Sequence, residues 1–150
     1  MRSHVRIAML TAFFLVAGCS GSNLTNPDGT PRVGVTLDRA LYFPGDSMVV
    51  VVRNEGSQTV LHGMGFCPVR LERQESGTWV VVPTPQSACP LALVALAPGA
   101  STTVRYQLPT GLAVGTYRLE LPAPVVDAKG VTEPGGPLLT PAFGVHVGPL

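Results

Sequence analysis

Residues 44–56 read Pro-Gly-Asp-Ser-Met-Val-Val-Val-Val-Arg-Asn-Glu-Gly, and this stretch decides the fold. The run Met48–Val52 is continuous and rich in β-branched side chains, which favour a pleated, buried strand. Pro44-Gly45-Asp46 before the run and Asn54-Glu55-Gly56 after it are typical turn sequences. The stretch therefore predicts a buried strand between two turns.

Similar patterns recur outward from this stretch, across residues 33–150. Val33–Leu37 alternates apolar residues with small or polar ones, which predicts a half-buried strand. Further strands, separated by turn residues, are predicted at Gln58–His62, Val69–Arg73, Thr78–Val82, Ser101–Leu108, Thr116–Leu121 and Ala142–Val147. Leu91–Ala97 is the one helix candidate, and it is short. Seven or eight strands with turns between them predict an all-β sandwich.

The N-terminus has the pattern of a secretory signal. Arg2 and Arg6 form a positively charged region before an apolar run, Ile7–Gly18, that is shorter than the roughly 20 residues a bilayer span needs. The run ends in Val16-Ala17-Gly18-Cys19, which resembles the lipobox of bacterial lipoproteins. The resemblance implies that residues 1–18 are a signal peptide, cut off before Cys19, and that the Cys19 sulfur carries a diacylglycerol.

Residues 19–32 are then the acylated cysteine and a tether. The polar, Gly-, Asn- and Pro-containing stretch 20–32 predicts a flexible coil that spans roughly 20 Å. The lipoprotein resemblance implies palmitate-type acyl chains, and two or more chains give stable anchoring to a membrane surface. In lipoproteins of two-membrane bacteria, a residue such as Ser20 usually accompanies sorting to the outer membrane. We therefore expect a lipoprotein of the cell envelope, on the outer membrane and facing the periplasm.

The charge balance excludes one class of partner. Ten Lys and Arg residues against nine Asp and Glu residues give a formal net charge of +1. Such a chain has no basic surplus with which to hold a nucleic-acid backbone. We expect a membrane contact through the lipid and an envelope protein as partner, and no nucleic acid.

An ordered set of short motifs runs through residues 33–121. The pieces are Leu37, Tyr42-x-Pro44-Gly45-Asp46, the Val run ending at Asn54, Gly63, Leu71-Glu72, Gly77-x-Trp79, Leu96-x-Pro98-Gly99 and Gly115-Thr116-Tyr117-Arg118-Leu119. The set resembles bacterial immunoglobulin-like domains on envelope lipoproteins and sensor ectodomains, which implies an immunoglobulin-like antiparallel β-sandwich. An overlapping resemblance to the intracellular proteinase inhibitor family rests on the Pro-Gly-x strand opening and the Gly-x-Tyr close. The lipobox departs from that family's intracellular setting.

Two aromatic residues have expected structural roles. Tyr117 lies near the start of a late strand, where sandwich domains often anchor a tyrosine hydroxyl to a nearby backbone group. Trp79 follows a predicted tight turn, Glu75-Ser76-Gly77, and we expect its ring to cover the core.

Cys67 and Cys89 remain once Cys19 is assigned to lipid. Outside the cytoplasm, two such cysteines predict a disulfide bond, which would stabilise the fold by about 3 kcal/mol on the chain-entropy model. The alternative is the spacing His62-x-Met64-x-x-Cys67, because one imidazole with soft sulfur ligands suits Cu(I). Of these two hypotheses the disulfide is the expected one, with His62 a surface or half-buried residue. No cofactor is expected.

The sequence contains no catalytic signature. It lacks a Gly-x-Ser-x-Gly elbow, a His-Glu-x-x-His helix, a phosphate-binding loop and a dinucleotide fingerprint. A carboxylate pair would have to come from scattered residues such as Asp46, Glu72 and Asp127. We therefore expect a non-catalytic binding or structural module that acts through sheet edges or the loop 122–137. The alternative is an inhibitor of an extracytoplasmic protease, with a loop presented as a rigid substrate mimic.

Overall fold

A computed structural model describes residues 32–85, 88–126 and 136–147. These ranges contain twelve strands and one turn of 3-10 helix at Met64–Phe66. The strands are β1 (Val33–Leu37), β2 (Leu41–Tyr42), β3 (Ser47–Asn54), β4 (Val60–Gly63), β5 (Arg70–Glu75), β6 (Thr78–Val81), β7 (Leu93–Leu96), β8 (Ser101–Gln107), β9 (Gly115–Leu121), β10 (Val125–Val126), β11 (Leu138–Leu139) and β12 (Phe143–Val145).

The first sheet is built around the valine-rich strand β3, which lies between β1 and β8 in antiparallel order. Met48, Val50 and Val52 are fully buried, whereas the alternate residues Val49 and Val51 are only partly buried. One face of β3 thus packs into the core. The other face is half-covered, because strands that are neighbours in a sheet shield one another's side chains.

The second sheet has the strand order β2-β12-β9-β5-β6, with β11 also paired to β9. Its pairs are antiparallel except for β2 with β12. An immunoglobulin sandwich places strands A, B and E in one sheet and strands C, F and G in the other. Here β1, β3 and β8 take the first three places, and β5, β9 and β12 take the second three. The strand order confirms an all-β, immunoglobulin-like antiparallel sandwich.

A third, small sheet has the order β10-β4-β7. In the immunoglobulin arrangement a further strand, D, pairs with strand E. The strand that precedes β8 in this chain is β7, and it pairs with β4 instead. Among the described residues, no strand pairs with the second edge of β8.

The core lies between the two larger sheets and is closed at one end by Tyr117. Leu71 and Leu119 are cross-strand partners on β5 and β9 and are fully buried. The Tyr117 hydroxyl donates a hydrogen bond to the backbone oxygen of Ala113 at 2.7 Å. This is the expected anchoring of a tyrosine at the start of a late strand.

The eight strands that the sequence predicts are all present, with ends that differ by at most two residues. The prediction of a helix at Leu91–Ala97 is wrong. Its residues Leu93–Leu96 form β7, because Pro90 and Pro98 bound the segment and β4 supplies a hydrogen-bonded partner. Strands β2, β10 and β11 were not predicted, because two residues are too few to show a period.

The prediction that the Trp79 ring covers the core is also wrong. Trp79 pairs with Gln74 across β5 and β6, on the sheet face that carries Glu72 and opposite to the buried Leu71. Its half-buried ring lies against the Arg118 guanidinium, with 4.3 Å between the guanidinium carbon and the ring centroid. The ring covers an ion pair on the outer face and not the core.

Candidate binding surfaces

Cys67 and Cys89 form a disulfide bond, with 5.4 Å between their Cα atoms. The bond joins the segment before β5 to the segment before β7. This confirms the sequence prediction. It also removes the Cys67 thiolate from the hypothetical copper site, since a disulfide sulfur carries no charge with which to bind Cu(I).

His62 is a core residue, not the surface or half-buried residue that was expected. Its side chain is 4% exposed, and its ring stacks on Phe66 with 4.1 Å between the centroids. The Nδ1 atom lies 2.8 Å from the Gly63 carbonyl oxygen, so Nδ1 carries the proton and donates. The Nε2 atom is buried and has no hydrogen-bond partner among the described residues. Met64 is 47% exposed, so His62 and Met64 differ sharply in their exposure to solvent.

The carboxylates that were considered for catalysis have structural partners instead. Glu72 is only 7% exposed and accepts a hydrogen bond from Arg118 Nε at 2.5 Å. Asp46 accepts one from the Phe43 backbone N–H at 3.1 Å and pairs with Arg39 at 3.2 Å. The Glu72 contact joins β5 to β9 on one face of the sheet, and the Asp46 contacts stabilise the turn before β3.

A second polar cluster links β2 to β3. The Tyr42 hydroxyl donates to Asp38 Oδ1 at 2.7 Å, and the Val49 backbone N–H donates to the same oxygen at 2.9 Å. Burial raises the pKa of the Asp38 carboxyl, but these two hydrogen bonds, with one from the Asp38 backbone N–H and the Arg39 charge, together hold that pKa below its usual range. Burial, with the hydrogen bond to Asp38, raises the pKa of Tyr42 to about 12.

A groove with a volume of about 670 Å³ runs beside the open edge of β8. Val104–Leu108 form one wall. Cys67–Val69 and Thr84–Pro85 form other parts of the wall. The volume falls in the range typical of ligand and peptide sites, and the lining is mostly apolar.

The outer face of the small sheet is a second candidate surface. Its outward positions on β4, β7 and β10 carry Leu61, Gly63, Leu93, Ala95 and Val125, all uncharged and without polar side chains. Leu93 is 64% exposed and Val125 is 36% exposed. Exposed apolar patches of this kind mark interaction sites more often than single exposed residues do.

A third exposed feature is the segment that follows the disulfide. The Leu91 side chain is fully exposed, one residue beyond Pro90. Cys89 fixes the start of the segment through its disulfide bond, and the Ala92 carbonyl oxygen accepts a hydrogen bond from the Met64 N–H at 2.9 Å. The segment is therefore held at both ends around an exposed leucine.

The sequence did not single out the β8 edge or Leu91 as functional. A free edge depends on which strands pair, and pairing cannot be read from one strand alone. The sequence around Leu91 does not distinguish a core residue from a residue in an exposed loop, because the leucine lies between a cysteine and further apolar residues.

Several expected features lie outside the described residues. They are the signal peptide 1–18, Cys19, the tether up to residue 31, Asp127 and most of the loop 122–137. In the part of the chain that is described, no helix reaches the length and apolarity of a membrane span.

No protein-family model matches the sequence, and no curated protein matches it. Among solved structures, the chain is similar to a β-glucosidase from Erythrobacter marinus at 16% identity and a TM-score of 0.37, over 77% of this chain and 16% of the enzyme. It is similar to Spo0M, a sporulation control protein from Bacillus subtilis, at 13% identity and a TM-score of 0.40, over 80% of this chain and 51% of that one. It is also similar to the ASH/PapD-like domain 7 of human CEP192, at 15% identity and a TM-score of 0.33, over 95% and 94% of the two chains.

The chain thus spans only 16% of the length of the β-glucosidase it matches. At these TM-scores the similarities carry nothing about activity. The immunoglobulin-like assignment stands on the strand order of this chain.

Proposed function

We propose that the protein is a non-catalytic module of the bacterial cell envelope, anchored by an acylated Cys19 and acting by binding or by a structural role. The observation that carries the proposal is the Cys67–Cys89 disulfide, because such bonds persist in oxidising compartments and are rare in the cytosol. An exported, disulfide-bonded domain agrees with the lipobox-like Val16–Cys19. The proposed site of anchoring is the outer membrane, with the domain facing the periplasm.

Two described surfaces support binding over catalysis. The groove beside β8 and the uncharged face of the small sheet are both open. The carboxylates Glu72 and Asp46, by contrast, are engaged in ion pairs with arginines. Surfaces of this kind suit contact with an envelope protein.

Membrane fractionation of the full chain, expressed in a two-membrane bacterium, tests the anchor. We expect the wild-type protein in the membrane pellet and the Cys19→Ser variant in the soluble periplasmic extract. The matched control is the double variant Cys67→Ser with Cys89→Ser, which replaces the other two cysteines and should leave the protein in the pellet. A Cys19→Ser variant that stays in the membrane pellet as the wild type does would contradict the proposal.

A second candidate function, inhibition of an extracytoplasmic protease, is favoured by one observation. Leu91 is fully exposed on a segment that a disulfide and a backbone hydrogen bond hold at both ends. A pre-organised exposed side chain is what a substrate mimic presents to a protease pocket, because little conformational entropy is lost on binding.

The test is a titration of the full chain against extracytoplasmic serine proteases that cleave after large apolar residues. Inhibition at a one-to-one ratio, lost in Leu91→Glu and kept in the matched control Leu93→Glu, would establish this function. An absence of inhibition by the wild-type protein at a large molar excess would dispose of it for those proteases.

A further inference from the structure

The first sheet is one strand short of the immunoglobulin arrangement, and the open place borders a groove. An ABED sheet has four strands, whereas the sheet here contains only β1, β3 and β8 among the described residues. Val104–Leu108 line the groove as consecutive residues, which means that the strand presents its edge to the groove and not one face. The groove therefore occupies the place of the fourth strand.

The backbone groups of β8 that face this place can be identified from the ladder on its other side. The Leu108 N–H donates to Asp46 O at 3.0 Å, and Ala100 O accepts from the Asn54 N–H at 3.0 Å. Because hydrogen-bonding direction alternates along a strand, the backbone N–H and C=O groups of the even-numbered residues of β8 point toward β3. The N–H and C=O groups of Arg105 and Gln107 thus point toward the groove, and no described strand pairs with them.

The neighbouring segment of the chain does not pair with this edge. Thr84 and Pro85 lie against the groove, and the Thr84 side chain bonds to Tyr106. The Val82 N–H donates to the Leu71 oxygen at 2.8 Å, and among the described residues no backbone hydrogen bond joins this segment to β8. The segment thus leaves the edge of β8 available, while Thr84 and Pro85 line the groove.

Charge adds a second requirement for the occupant. The Arg105 side chain is exposed, and within the described ranges it has no ion-pair partner. Its neighbour across the sheet is Val49, which offers no anion. A strand added beside β8 would bring its own side chains next to Arg105, where an acidic one pairs favourably.

We propose that the groove binds an extended peptide segment of a partner protein. The segment pairs with the open edge of β8 at Arg105 and Gln107, places apolar side chains against the wall that contains Pro68 and Val69, and sets an acidic side chain beside Arg105. Strand addition of this kind draws affinity from backbone hydrogen bonds and specificity from alternate side chains. The inference rests on the proposed function, since it names the site and the partner chemistry of that binding module.

A displayed library of random linear peptides, selected against the full chain in detergent, tests the proposal. We expect enriched peptides in which apolar residues alternate with polar ones, with an Asp or Glu at one fixed place. Arg105→Glu should exchange that acidic residue for Lys or Arg when the selection is repeated. The enriched peptide should bind Arg105→Pro about fivefold more weakly than Arg105→Ala, because only the proline variant lacks the edge N–H.

N-methylation of the enriched peptide gives a control that leaves the protein unchanged. Methyl groups on the backbone nitrogens of one parity should abolish binding, and those of the other parity should not, since only one edge of an added strand pairs. A library that yields no enriched sequence would overturn the proposal that the groove binds a peptide. Binding that does not change with the Arg105 variants or with the positions of the N-methyl groups would overturn it too. Binding elsewhere would leave the proposed module intact, and the Cys19→Ser fractionation tests the anchor separately.

Discussion

Asn54 connects the end of β3 to the small sheet that contains β4 and β7, and its replacement should be costly. The residue is fully buried. Its Nδ2 atom donates to Gln58 O at 2.7 Å and to Leu96 O at 2.9 Å, and its Oδ1 atom accepts from the Gly56 N–H at 3.0 Å. No other described side chain ties β3 to the approach to β4 and the end of β7 in this way.

The expected magnitude follows from these three bonds. Asn54→Ala removes all of them at a net cost of about 1 kcal/mol each, so the free energy of unfolding should fall by about 3 kcal/mol. Leu96 is 5% exposed, so water does not readily replace the lost donor at its carbonyl oxygen. Asn54→Asp keeps the shape but turns an anionic oxygen toward two carbonyl oxygens, and its cost at neutral pH should exceed that of alanine.

The assay is urea unfolding of both variants at several pH values. The repulsion raises the folded-state pKa of the new carboxyl above its unfolded value, so the folded state of Asn54→Asp binds more protons than the unfolded state. Its deficit relative to Asn54→Ala should therefore shrink as the pH falls. Ser57→Ala, an exposed neighbour in the same turn, is the matched control and should cost little. A loss below about 1 kcal/mol in Asn54→Ala, or a deficit of Asn54→Asp that does not change with pH, would refute this reasoning.

Three further outcomes are expected. Tyr117→Phe should lower the free energy of unfolding by about 1 kcal/mol through loss of the bond to a backbone oxygen, and chemical denaturation that shows no loss would contradict the anchoring role. Cys67→Ser with Cys89→Ser should cost about 3 kcal/mol on the chain-entropy model, measured in the same way, and reduction of the wild-type protein should match the variant. The Tyr42 pKa of about 12 lies above the unfolded value near 10, so the stabilisation linked to this phenol is present below pH 10 and is lost as the pH rises through 12. Titration of the unfolding free energy over that range should show this loss in the wild type and less of it in Tyr42→Phe.

The sequence predicted the strands that carry a strong local pattern. The valine run in β3 and the alternation in β1 were sufficient to predict these two strands, because the period of the side chains and the presence of turn residues are local properties of the sequence. The turn between β5 and β6 was also predictable. Ser76 and Gly77 both have positive φ, 48° and 84°, as the two-residue hairpin turn requires.

Other features depend on contacts that no local pattern contains. Leu93–Leu96 contains two leucines and an alanine, which are good helix formers, and its pairing with β4 makes it a strand. Trp79 lies outside the core because the hairpin register puts it on the face of Glu72, and a shift of one residue would have reversed that. The groove beside β8 could not be predicted, because it exists where a pairing is missing.

Intact mass after alkylation under non-reducing conditions examines the lipid anchor and the disulfide bond in one experiment. The full chain is expressed in a two-membrane bacterium, extracted from the membrane fraction and analysed with its thiols alkylated. We expect a chain that begins at Cys19, carries the added mass of acyl chains on that residue, and has no alkylation at Cys67 or Cys89. A chain that still begins at Met1, a Cys19 without lipid, or two alkylated thiols would contradict the account of an exported, disulfide-bonded and lipid-anchored module.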